Sequence, residues 1–151
     1  IHLFPIVMVF MGCFSLHFII FDALTPGFGL LDAAGLLIAG GAIIIEAVSD
    51  NQLNSFVQSK PPRGAIMKTG LWKYSRHPNY FGEIMFWWGL FILGVSSSQY
   101  QVWGIIGPVA MTIMFLTISI PMIEKRMLKR RDNYSEHQKK VSVLVPWFRK
   151  N

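Results

Sequence analysis

No lysine or arginine occurs before Lys60 in this 151-residue chain, and no charge of either sign lies between Ile84 and Ile123, a run of 40 residues. Charged residues make up 15% of the chain, against about 25% in soluble domains. An ordinary soluble core cannot be patterned this way, so the composition predicts an integral membrane protein. Cysteine is equally scarce. Cys13 stands alone in an apolar run, which excludes an internal disulfide, and no Cys/His spacing suits a metal. The chain opens on Ile1 inside an apolar segment, without a basic n-region or a small-residue cleavage site, so a signal peptide is not read. The expectation is instead the C-terminal part of a longer protein, organised as one membrane domain over 1–151. GxGxxG, Walker, HExxH and GxSxG patterns are all missing.

What charge there is falls in two blocks. Five of the 14 Lys and Arg lie between Lys60 and Arg76, and nine between Lys125 and Lys150. Four apolar segments, at about 1–21, 28–48, 78–95 and 102–122, are each close to the roughly 20 residues that span a bilayer. The sequence therefore predicts an all-α polytopic membrane bundle of about four spans with a basic C-terminal helix and tail. By the positive-inside rule both basic blocks are cytoplasmic. The bilayer is then the expected partner. The "AAGLLIAGGAIII" run (33–45) offers small residues for close helix approach. Met122 to about Lys140 can be helical, and "VSVLVPWF" (141–148) reads as extended, with Pro146 stopping any helix. Topology accounts for the net charge of +6, and no nucleic-acid partner is called for.

Three polar clusters fall at the cytoplasmic ends. In "GLWKYSRHPNYFGEIMFWWG" (70–89), Pro78 suits the first turn of a helix. Asn79, Glu83 and Phe86 then share one face, with Gly82 opening space beside them. A carboxylate one turn inside a membrane helix marks a functional site, or else snorkels to water or pairs with Arg76. Arg76 and His77 add donors at a helix start that favours anions. Glu46 and Asp50, spaced i, i+4, are the second cluster. They can hold a cation, bind ribose hydroxyls, or pair with the basic loop. The third is Glu124, Lys125, Arg126, Lys129, Arg130 and Arg131, followed by Tyr134 and His137. Such a helix is drawn to anionic lipid heads, or clamps a phosphate-bearing cofactor.

"GLWKYSRHPNYFGE", with "SDNQLNSF" before it and "EKRMLKRRDNYSEHQKKVSVLVPWF" after it, resembles the steroid 5-alpha-reductase superfamily over about residues 45–148. The resemblance implies an enzyme of a bacterial inner membrane or the endoplasmic reticulum that reduces a carbon–carbon double bond of a steroid-like or other lipid enone with NADPH. It places Asp50, Arg76, His77, Asn79, Tyr80, Glu83, Glu124, Arg130 and Tyr134 at the cofactor, with Tyr80 and Glu83 as catalytic candidates. "RHPNYFG" is also similar to the RHPxYxG of isoprenylcysteine carboxyl methyltransferases. That implies S-adenosylmethionine as the alternative cofactor and a lipid or lipidated acceptor. A non-catalytic lipid-binding relative of the same fold is the third reading.

Overall fold

The computed structural model describes residues 9, 10, 13, 28–97 and 101–148. Among them the regular structure is helical: α1 (Leu30–Gln58), α2 (Pro78–Ser97), α3 (Ile106–Met114), α4 (Ile120–Arg130) and α5 (Tyr134–Lys140). One isolated parallel bridge joins Ser75 to Ser142. The expected first span lies outside the described residues except for Val9, Phe10 and Cys13, which are helical.

Two helical stretches are long and apolar enough to cross a membrane, Leu30–Gln58 and Trp103–Arg130. Only 17% and 28% of their most apolar windows are buried within the chain. Leu36, Leu37, Ile43, Ile44, Ile113, Leu116 and Ile118 are all exposed. Exposed apolar surface on this scale calls for a partner phase, and lipid supplies one. The helix α2 has 20 residues but opens on Asn79, Tyr80 and Glu83, which dilute its apolar run.

The helix α1 continues ten residues beyond the expected end near 48. The segment "SDNQLNSFVQ" is polar but contains no Pro or Gly to stop it. The helix α2 starts at Pro78, where the sequence places it. The fourth expected span is not one uniform helix. A tight turn over Gln101–Ile105 leads into α3, a wide π turn covers Phe115–Ser119, and α4 follows with Pro121 in its first turn. Proline has no N–H and crowds the carbonyl four residues back, so the wide turn lets the chain pass it. The predicted tail helix breaks at Arg131, whose backbone is extended, so Met122–Lys140 is not continuous.

The chain divides into two compact units. The first holds Ile1–Ala42 and Ile84–Phe115, the second Ile43–Glu83 and Leu116–Asn151. Small residues do their work in the first. A Cβ on Gly89 would sit 2.7 Å from the Ala39 backbone nitrogen, and one on Gly35 equally close to Leu93. Gly40 and Gly41 face open space, so only part of the small-residue run is a contact surface. The Trp88 indole donates to Thr112 Oγ1 at 3.1 Å, and that hydroxyl donates to the Pro108 carbonyl at 2.7 Å.

In the second unit, the loop between α1 and α2 is stapled to α1. The Leu71 N–H donates to Gln52 Oε1 at 2.9 Å, and the Trp72 indole to the Ser49 carbonyl at 2.9 Å. Gly70 has φ +58°, and any Cβ there would overlap the Gln52 side chain. Only glycine meets both demands cheaply. The C-terminal segment is tied to the end of the same loop. Arg76 N–H donates to the Ser142 carbonyl (2.9 Å), Ser75 Oγ to the Leu144 carbonyl (2.7 Å), and Trp147 N–H to the Tyr74 carbonyl (3.0 Å).

Candidate functional site

Every residue of the site belongs to the second unit. Its centre is Glu124, on α4 and nearly buried. One oxygen accepts from Arg76 Nη1 at 2.6 Å and from the Gln138 amide. The other accepts from His77 Nε2 at 2.9 Å and from the Tyr134 hydroxyl at 2.8 Å. Four donors on one carboxylate satisfy most of its acceptor capacity. Charge-assisted bonds of this kind are the strong ones. Burial, and then the bond to Glu124, push the Tyr134 phenol well above its ordinary value. It therefore stays a donor across the physiological range. Arg76 pairs here and not with Glu83.

A cavity of about 200 Å³ lies against this cluster. Leu53, Phe56, Val57, Ile66, Met67, Trp72, Ile123 and Met127 make its apolar walls. Arg76, His77, Asn79, Tyr80, Arg131, Tyr134 and His137 supply its polar lining. The His77 and Tyr80 rings stack 5.5 Å apart and 6° from parallel. Tyr80 also lies within electrostatic reach of Glu83 and Asp50, and Glu83 of Glu46 and Asp50. Two helices thus bring three carboxylates together beside one tyrosine. None of the three forms a salt bridge among the described residues, so pairing with the basic loop is not observed.

Of the nine residues singled out from the sequence, Arg76, His77, Asn79, Tyr80 and Tyr134 line the cavity. Glu124 holds three of them from behind, and Asp50 and Glu83 stand beyond Tyr80. Arg130 stands apart. It is exposed, in a shallow pocket with Met122, Lys125, Arg126 and Lys129. Its neighbour Arg131 reaches the cavity instead, from the extended residue at which α4 ends. Sequence reasoning also missed Gln138 and Ser75. Gln138 lies one helical turn after Tyr134, and that i, i+4 spacing is the signal that could have found it. A second, open groove of about 550 Å³, lined by Val48, Asn51, Gln52, Ser55, Phe56, Met67 and Thr69, shares Phe56 and Met67 with the cavity.

These features define an all-helical membrane-type protein with a half-apolar cavity walled by a buried His–Glu–Tyr–Arg cluster. A family model described as a protein of unknown function, DUF1295, matches residues 1–141. The chain belongs to that family, which is steroid 5-alpha-reductase-like. It is also 28% identical over 94 residues to methanethiol S-methyltransferase 1 of Bradyrhizobium diazoefficiens. The aligned part is 61% of this chain and 29% of that protein, so the chain spans under a third of its relative's length. No solved structure matches.

Proposed function

We propose that the protein is part of a multi-pass membrane methyltransferase that uses S-adenosylmethionine and methylates an apolar or lipid-borne thiol. The observation that carries this reading is the similarity to a methanethiol S-methyltransferase, together with where the basic residues lie. Nothing in the comparisons supports NADPH, the cofactor first expected, or an oxidoreductase.

The site fits a cationic cofactor without phosphates. Arg76 is engaged by Glu124, and Lys125, Arg126, Lys129 and Arg130 face away from the cavity. A phosphate clamp would need such groups turned inward, and of the tail's basic block only Arg131 is. Instead Phe56, Trp72 and Met67 offer a flat apolar berth for a purine. Glu46, Asp50 and Glu83 lay negative charge beside Tyr80, which suits an amino group, a sulfonium and ribose hydroxyls. The enclosed 200 Å³ is smaller than the roughly 300–1,000 Å³ that encloses a whole small ligand. The adjoining groove past Phe56 and Met67 takes the remainder.

When bound, S-adenosylmethionine supplies an electrophilic methyl group. The protein's residues do the rest. Apolar walls strip water from the acceptor sulfur, whose lone pair would take the methyl as the methyl–sulfonium bond breaks and S-adenosylhomocysteine leaves. Asn79 and Tyr80 orient the ligand so that the reacting atoms meet in line. Glu83 takes the thiol proton. His77 is held by Glu124 as a rigid backing for the Tyr80 ring. We place both basic blocks on the cytoplasmic side, by charge.

Calorimetry on the full-length protein in detergent tests the reading. S-adenosylmethionine binds, NADPH and NADH do not, and Tyr80→Phe and Glu83→Gln weaken the binding without unfolding the protein. Salt-sensitive NADPH binding with no S-adenosylmethionine signal overturns it in favour of the reductase.

A further inference from the structure

The C-terminal stretch 141–148 turns its apolar side chains outward while its backbone is fixed. Val141 and Leu144 are buried, yet Val143, Val145, Trp147 and Phe148 are exposed, the last two by 67% and 78%. Three hydrogen bonds to Tyr74, Ser75 and Arg76 hold the strand in place. The aromatic side chains are therefore presented. Phe148 packs edge-on against Tyr74 with centroids 6.3 Å apart, and the Lys73 ammonium stands 5.6 Å from the Tyr74 ring. Beside them a groove of about 300 Å³ brings Lys139 and Lys140 to Val143, Trp147 and Phe148. Lys140 shares its charge with Glu136 at 2.9 Å on α5, while no salt bridge is described for Lys139 or Lys73.

The depth of this rim follows from its attachments. Arg76 and His77 touch Glu124, the first residue after the charge-free run Ile84–Ile123. Glu124 therefore marks the level at which the apolar run gives way to charge, about 9 Å of helix before its end at Arg130. Tyr74, which carries the rim, is two residues from Arg76, so it lies within about 7 Å of chain from that level. Aromatic rings and lysines at such a depth belong in the headgroup region, where amphipathic side chains gain on both sides. Water alone would leave the exposed faces of Trp147 and Phe148 hydrated at a cost of apolar exposure.

We propose that Trp147 and Phe148, flanked by Lys73, Lys139 and Lys140, form an interfacial seat on an anionic phospholipid leaflet. The rings enter the headgroup–acyl boundary and the lysines meet lipid phosphates. Because the same strand is bonded to Tyr74, Ser75 and Arg76, the seat holds the loop that walls the cavity at the membrane surface.

An environment-sensitive fluorophore reads this directly in the full-length protein in nanodiscs. In a Cys13→Ser background, the label is carried by Trp147→Cys, by Val145→Cys as a second position, and by Ser135→Cys on exposed α5 as the control. With phosphatidylglycerol present, emission from 147 and 145 shifts to the blue and is quenched by headgroup-proximal spin-labelled lipid, while 135 shows neither. Replacing Lys139 and Lys140 by Gln, or using phosphatidylcholine alone, reduces the shift. Emission and quenching at 147 and 145 equal to those at 135 overturn the seat. A full shift that neither phosphatidylcholine nor the glutamine variants reduce overturns its assignment to an anionic surface.

Discussion

Glu124 carries more of the site than any other side chain, and it does so by satisfying four donors from two other parts of the chain. Its removal leaves the Arg76 charge buried without a counter-charge. Glu124→Ala is expected to destabilise the protein by about 3–5 kcal/mol, measured as a shift in the detergent unfolding midpoint. Glu124→Gln keeps the shape and loses the charge, and costs about 1–3 kcal/mol. Tyr134 gives a pH signature. Its folded pKa is raised, so its contribution is whole below the ordinary phenol value of about 10 and is lost only as pH rises through the folded value. Tyr134→Phe should therefore leave the tyrosinate absorbance rise near pH 10 unchanged in amplitude, while lowering stability by about 1 kcal/mol at neutral pH. A drop in that amplitude would show an ordinary phenol. The sequence named Glu124, Arg76, His77 and Tyr134 separately, but not their union. Glu124 lies 47 and 48 residues from His77 and Arg76, and local periodicity carries no information over that distance.

At the level of elements, short-range chemistry was the most legible. Pro78 starts α2 because a proline at the first helical position loses nothing, and Glu46 and Asp50 share a face because i, i+4 fixes it. The ends of α1 and α4 were not legible. Hydropathy falls before α1 stops and its hydrogen bonding continues past the apolar run, whereas the expected tail helix breaks early, at Arg131, with no Pro or Gly to mark the place. The small-residue stripe was half read. Gly35 and Ala39 make the close approach to α2, whereas Gly40 and Gly41 do not. Gly89→Ala is expected to cost about 1–3 kcal/mol, since its Cβ meets backbone that cannot step aside. Gly41→Ala should change stability by no more than about 0.5 kcal/mol. Thermal melting of the two variants side by side checks the contrast. Equal losses would mean that the α1–α2 contact is not set at Gly89.

Across the whole molecule, composition announced the membrane character, because lipid-facing helices have no polar face to balance. Function was less legible. RHPNYFG fits two cofactors, and the choice between them came from a relative and from which way the basic residues face. Deleting residues 141–151 removes the partners of Tyr74, Ser75 and Arg76 while leaving both long apolar helices intact. Such a protein should resist alkaline extraction from membranes as the parent does, and should lose S-adenosylmethionine binding by calorimetry. Retained binding would show that the cavity closes without its C-terminal tie.

That tie has a consequence for biosynthesis. Tyr74, Ser75 and Arg76 emerge from the ribosome well before Ser142, Leu144 and Trp147, so the loop is made before its partners exist. A nascent chain stalled before residue 142 carries both long apolar helices but lacks the tie. The tie closes only once residues 142–147 have left the tunnel.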